Sequence, residues 1–325
     1  MSLRLSRRPK VELHLHLEGC LTAPEALALA RRNGLPWSPQ TVASHYRHAD
    51  FGEFLRHFGA LLDLFRTPED LCWLLSRVQK RLRRQGVVYA EVRLSPSVWE
   101  RHGMEPVSTL RTLLEFGARG PVAMSFIVEG VRQWGPPQLG RDLDLACRFR
   151  SSGVVAFGLG GDEGAAPAGS LTTLAAECRA RRIPVVPHAG EVLGPEEVAS
   201  ALDVFTPVRI GHGIGAARSA EVLLALRERG VHLEVCPTSN RRTGVVGKGE
   251  RHPLRKLWGS GVALSLSTDD PGLFGATLCG ELRWAARSAG WGEAEMGRSQ
   301  IMAALATFLS AGERDALARR VESGW

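Results

Sequence analysis

Several things are scarce or missing in this chain. Its six cysteines, Cys20, Cys72, Cys147, Cys178, Cys236 and Cys279, lie far apart and form no C-x-x-C pair. That spacing suits a reducing compartment better than a disulfide framework, so a cytoplasmic location is expected. No apolar run approaches the length of a membrane span, and the basic start MSLRLSRRPK leads into no apolar h-region. Neither a membrane partner nor a secretory leader is expected. Low-complexity tracts, long linkers and short repeats are also absent. The net charge is +7, yet there is no basic tail, RNP-like motif or helix-turn-helix signature. The arginines are scattered along helical stretches such as LSRVQKRLRRQG and LRERG, each beside acids, as on a solvated helix face. Nucleic acid is therefore not an expected partner.

What is present is 325 residues of 44% hydrophobic content, enough for one large barrel or two domains. Short β-rich runs alternate with longer helical ones. The runs cover residues 11–18, 87–95, 122–130, 154–161, 183–191, 208–213, 231–239 and 262–270. Eight such runs are the strand number of a closed α/β barrel, a (β/α)8 TIM barrel. Helix-like stretches lie at Pro24–Arg32, Phe51–Phe65, Pro68–Arg84, Ser170–Arg181, Ser219–Arg229 and Leu278–Ser288. The material after residue 271 exceeds one helix, which predicts extra C-terminal helices outside a single barrel domain spanning 1–325.

Polar residues collect at the ends of the runs. The first, VELHLHLEG, alternates, so His14, His16 and Glu18 share one strand face and Leu13, Leu15 and Leu17 the other. Later runs finish in Glu129, in Gly161 and Asp162, in His188 and Glu191, in His212, and in Asp269 and Asp270. Barrel enzymes build their sites at the C-terminal ends of several strands. Imidazole with carboxylate suits zinc, so His14, His16, His188 and Asp269 are the expected ligands of one ion, with a position left for water. A two-metal site of this barrel class uses a modified lysine at a strand end. The only lysines are Lys10, Lys80, Lys248 and Lys256, and none ends a predicted strand, which favours a single zinc.

Zinc lowers the pKa of a bound water from ~15.7 to roughly 7. Glu191, three residues after His188, is placed to donate a proton, and the glycine-flanked His212 to orient or deprotonate the water. Asp270 faces a different direction from Asp269. Glu91 and Arg93, on one face of the second run, are read as a buried ion pair with each other. Arg132, at the end of the third run, pairs with a structural acid or captures a substrate carboxylate. The segment FGEFLRHFGALLDLF sets Phe51, Phe54, Phe58, Leu62 and Phe65 on one stripe.

The blocks VELHLHLEG, GVVYAEVRLSP, GGDE, HAGE, RIGHG, EVCPTSN and STDDP, in this order over residues 10–275, resemble the adenosine/adenine deaminase family of the amidohydrolase superfamily. The resemblance implies hydrolytic deamination at C6 of a purine nucleoside, a small-molecule substrate, with water as nucleophile and ammonia released. It carries zinc ligation to His14, His16, His188 and Asp269, proton donation to N1 to Glu191, and handling of the water to His212. It brings Asp270 to the nucleophile or N7, the Gly161 backbone to N3, and the Phe51–Phe65 region over the purine. Cytidine-type zinc deaminases use P-C-x-x-C, which this chain lacks. Three departures from the best-known adenosine deaminases bear on the N9 substituent: Glu18 where they carry aspartate, Gly158 in GLGGDE, and Thr238 after Cys236-Pro237. The stretches FIVEGVRQW and FGLGGDE resemble the bacterial subgroup acting on 6-aminodeoxyfutalosine, an adenine nucleoside analogue bearing a benzoate, in menaquinone synthesis. On the sequence, adenosine-like nucleosides rank first as substrate, then aminodeoxyfutalosine, then free adenine. A pseudoenzyme on the same scaffold is the non-catalytic alternative, and no expected ligand is missing.

Overall fold

The computed structural model describes residues 4–325. Eight strands follow one another along the chain: β1 (Lys10–His16), β2 (Val87–Leu94), β3 (Ala123–Val131), β4 (Val154–Gly160), β5 (Val185–Ala189), β6 (Arg209–His212), β7 (His232–Val235) and β8 (Leu264–Leu266). Each pairs in parallel with the next. β8 meets β1 through a bridge between Leu15 and Asp269. There the Asp269 N–H donates to the His14 carbonyl at 2.8 Å and the His16 N–H to the Asp269 carbonyl at 3.0 Å. The expected (β/α)8 barrel forms.

Parallel neighbours require crossovers, and helices supply them. Three helices unmarked by the periodicity above, Pro106–Ala118, Pro136–Arg148 and Pro195–Phe205, each open on a proline. Proline at the first helical position is itself a start signal, because its fixed φ suits the helix and its missing N–H is not needed there. The last four strands are shorter than their apolar runs suggest. The run over 231–239 predicts a strand through Ser239, but β7 stops at Val235 and Pro237 opens the helix Pro237–Arg242. Proline cannot donate to the ladder, and the turn it starts buries Ser239 and Asn240 at the strand ends.

The extra C-terminal helices exist, and two of them, Glu293–Leu305 and Ala311–Glu322, seal the end of the barrel where the strands begin. The Val11 N–H donates to Gln300 Oε1 at 2.9 Å, and Leu317 and Val321 pack with Val11 and Tyr89. Between the two helices, Phe308 packs against Ile127, Ala156 and Val186 inside the strands. No helix among the described residues is long and apolar enough to cross a membrane.

Charge runs through the barrel interior. Glu91 and Arg93 are both buried, as expected, but they do not pair with each other. Arg93 donates to Glu129 at 2.7 Å and to Glu234 at 2.8 Å. Glu91 lies 2.6 Å from Arg209, which also approaches Glu234 at 2.7 Å, both as charge contacts not aligned as hydrogen bonds. Glu91 and Arg93 do share one face, but side chains two residues apart on a strand stand side by side, so each meets acids and bases from other strands instead. The result is an alternating belt, Glu91–Arg209–Glu234–Arg93–Glu129, drawn from β2, β3, β6 and β7. Buried charges persist only when each is paired.

Candidate metal centre and active site

The belt supports the cluster above it. His14 and His16 leave the end of β1, His188 sits in β5, and Asp269 follows β8. Their ligand atoms lie within 4.8 Å of one another. His14 Nε2 and His16 Nε2 are 3.2 Å apart, and they approach Asp269 Oδ1 at 3.4 and 3.2 Å.

The other ring nitrogens explain this convergence. His14 Nδ1 is 2.8 Å from the Glu234 carboxylate and His188 Nδ1 is 3.0 Å from the Leu159 carbonyl. Both partners only accept, so each Nδ1 carries the proton and each Nε2 presents a lone pair. His16 Nδ1 faces Glu129 at 3.2 Å in the same way. Three imidazole lone pairs and a carboxylate aimed at one buried point repel one another unless a cation joins them, and these donors fit a zinc-type ion. Ser239 Oγ donates to the second Asp269 oxygen at 2.6 Å, leaving Oδ1 for the ion.

A second grouping, of His14, His212, Cys236 and Asp269, also has its donor atoms within 4.8 Å. It shares two members with the first. Burial, then the Asp269 charge, push the Cys236 thiol well above its usual range, so it stays protonated and is the poorer ligand. The His14–His16–His188–Asp269 set is thus the better candidate for the ion.

Two of these residues sit in backbone conformations rare for side-chain-bearing residues: Asp269 at φ +62° and His212 at φ +59°. Such strain collects at functional sites, where surrounding contacts impose it. His212 is buried, with Nε2 3.6 Å from Glu191 and 3.8 Å from Asp269. Burial pushes its pKa down to about 3, so the ring is neutral. The Glu191 carboxyl is held well above the usual range by burial and then by the charges of Asp269, Glu163 and Asp270.

Glu163, in the block GGDE but given no role above, pins the loop that carries Glu191. Its carboxylate accepts the N–H groups of Glu191, Val192 and Leu193 at 3.0, 3.2 and 3.0 Å. The Asp270 carboxyl is likewise pushed up, by burial and then by its neighbour Asp269. A β-carbon at Gly19 would stand 1.7 Å from Asp270 Oδ1, so only glycine fits there. The signal for Gly19 was in the motif VELHLHLEG, but its reason lies 251 positions away in the chain.

The cavity above these groups is lined by His16, Glu129, Gly161, Gln133, Trp134 and a wall of Phe51, Phe54, Phe58 and Leu62. The aromatic stripe thus faces the site as far as Leu62. Phe65 lies beyond the end of its helix and is buried in the core.

Two expected substrate contacts are not in the cavity wall. β1 ends at His16, and Glu18 enters the turn Glu18–Cys20. Its side chain leaves the strand face and accepts the Trp99 indole N–H at 2.6 Å. Arg132 is fully buried. Its guanidinium donates to Glu197 at 3.1 Å, to the Ala166 carbonyl at 3.2 Å and to the His188 carbonyl. The structure sets Arg132 against a buried acid, Glu197, and turns the guanidinium toward the backbone of β5, not toward solvent. Replacing Arg132 by methionine strands the Glu197 carboxylate. The expected loss is ~3–5 kcal/mol of stability, read by denaturant unfolding, with activity on neutral and carboxylate-bearing substrates falling alike. Selective loss on the carboxylate-bearing substrate alone would restore the capture role.

The comparisons with known proteins agree with this geometry. The adenosine deaminase family profile matches residues 9–324. The chain is 35% identical to an aminodeoxyfutalosine deaminase of Acidothermus cellulolyticus over 86% of this chain and 82% of that one. It is 33% identical to an adenine deaminase of Agrobacterium fabrum, covering 96% and 97%. The crystal structure of an adenine deaminase from Arthrobacter aurescens superposes with a TM-score of 0.89 at 25% identity, covering 97% and 98%. The chain belongs to the adenosine deaminase family, hydrolases acting on C–N bonds.

Proposed function

We propose that this protein removes the 6-amino group of an adenine ring by hydrolysis, with one zinc ion held by His14, His16, His188 and Asp269. One observation carries the reading: the buried Glu191 carboxyl lines the same cavity as His16, His188 and Asp269, 3.6 Å from His212 and beside the four converging donor atoms. A zinc ion bound there acidifies water so that it can act as a nucleophile near neutral pH. Glu191 delivers its proton to ring N1, which makes C6 electrophilic. The water oxygen adds to C6 and gives up both its protons, one restoring Glu191 and one passing to the amino group, which breaks from C6 as ammonia and leaves a 6-oxopurine protonated at N1. Asp270, which also lines the cavity, hydrogen-bonds the nucleophile or N7. At Gly161, φ is +94° and a β-carbon would lie 2.2 Å from Gln133 Oε1. The bare backbone therefore meets the ring edge at N3.

The apolar wall supports a nucleoside over a free base. Phe54 and Phe58 stack with centroids 5.8 Å apart, and Phe51, Leu62 and Trp134 extend the surface. An N9 substituent bearing an aromatic ring buries apolar area there, whereas free adenine leaves it unfilled. The relatives named aminodeoxyfutalosine deaminase support the same choice. We therefore place 6-aminodeoxyfutalosine ahead of adenosine. Arg101, exposed and 3.7 Å above the Trp134 ring, is the cation at the edge of this wall for its carboxylate. Free adenine is the second reading, favoured by the adenine deaminase relative.

The test is ammonia release from 6-aminodeoxyfutalosine, adenosine, deoxyadenosine and adenine. The expected order of kcat/KM has 6-aminodeoxyfutalosine highest and adenine lowest. Adenine as the best substrate overturns the nucleoside assignment, and no ammonia from any of the four overturns the reaction.

A further inference from the structure

Behind His212 runs a chain of buried hydrogen bonds whose directions can be assigned from one fixed end. The Leu254 backbone N–H donates to His252 Nδ1 at 3.1 Å. A backbone amide can only donate, so His252 Nδ1 accepts and carries no proton. The neutral ring then holds its hydrogen on Nε2. That Nε2 lies 3.1 Å from the Asn240 side chain, so the Asn240 atom facing it is the carbonyl oxygen. The Asn240 amide NH2 therefore points the other way, to His212 Nδ1 at 3.0 Å, where it donates. His212 Nδ1 accepts, and its one hydrogen sits on Nε2, facing Glu191 and Asp269. All three side chains are buried, and burial holds the His252 pKa down at about 3, which keeps that ring neutral.

We propose that Asn240 and His252 are positioning residues that lock His212 as the Nε2–H tautomer, so that it meets the attacking water as a hydrogen-bond donor. The tautomer stands on its own. Its catalytic consequence rests on the deaminase reading above. In that reading His212 orients the oxygen through its N–H and leaves Glu191 as the resident proton carrier.

The experiment is a two-bond proton–nitrogen correlation spectrum of the full chain labelled with 15N-histidine, recorded with and without zinc. His212 and His252 are both expected to show a bare Nδ1 and a protonated Nε2. In Asn240→Asp the donor becomes an acceptor, so the His212 proton is expected to move to Nδ1. kcat should then fall by ~10²–10⁴-fold, the range for a misdirected acid–base group, with KM little changed. His252→Leu frees Asn240 to turn and should lose the single tautomer. His252→Gln offers an acceptor to Leu254 and a donor to Asn240, and should recover both the spectrum and much of the activity. A His212 that carries its proton on Nδ1 in the unsubstituted protein overturns the proposal even if every variant misfolds. So does an unchanged tautomer in folded Asn240→Asp. The predicted spectra in a protein that deaminates no purine uphold the relay and remove the deaminase reading.

Discussion

Glu191→Gln is expected to cut turnover by ~10²–10⁴-fold, the usual cost of losing a general acid, while metal content stays at the wild-type level. Glutamine keeps the length and polarity of the side chain but has no carboxylic proton for N1. The pH dependence has a definite sign. Burial, then the nearby acids, raise the Glu191 pKa well above the ordinary value, so activity declines as pH rises through that raised value. Linkage runs the same way: a carboxyl whose folded pKa exceeds its unfolded one contributes stability at low pH that is lost as pH climbs through the folded value. The glutamine variant should therefore lose the alkaline fall in stability due to this group. Steady-state kinetics across pH, paired with thermal melts, check both. Near-wild-type turnover in Glu191→Gln means that another group protonates the ring.

Asp269→Ala is expected to abolish turnover and empty the metal site. Removing the carboxylate leaves three imidazole lone pairs without their anionic partner and takes the acceptor from Ser239. Elemental analysis should find about one zinc-type ion per chain in the wild type and far less in the variant. Chelation of the wild type should lower the melting temperature, because an ion bound only by the folded state stabilises it by mass action. A stoichiometric second ion, or an alanine variant that retains its metal through dialysis, contradicts the four-residue set.

The candidate ligands were legible because their signal is local. Two histidines two residues apart must share a strand face, and a run that ends in acid or imidazole marks the C-terminal end of a barrel strand. What steers those ligands was not local. Glu234 is 220 positions from the His14 ring it orients, and Glu163 is 28 positions from the Glu191 backbone it holds. Asn240 lies just past the run 231–239, which reads as strand although Pro237 turns its end into helix. Arg132 shows the limit from the other side. A strand-end arginine looks the same in sequence whether it faces the cavity or turns back toward Glu197, and only the packing of the helix Pro195–Phe205 decides. Glu91 and Arg93 likewise share a face, but their partners come from β3, β6 and β7.

The charged belt has a consequence for how the protein is made. A ribosome delivers β2 and β3 well before β6 and β7, so Glu91 and Arg93 emerge when Arg209 and Glu234 do not yet exist. A half-barrel collapsing at that stage would enclose Glu91 without Arg209, the cation it meets in the finished barrel, and a poorly paired interior charge is costly enough to keep such a collapse from persisting. The nascent chain is thus held open and hydrated until the second half arrives, and Phe308 with the helices Glu293–Leu305 and Ala311–Glu322 shuts the far end only after all eight strands have been made. Closure is then late and cooperative, dominated by contacts distant in sequence. Separately expressed halves should accordingly need each other to become compact, and the interval before release is when chaperones matter most.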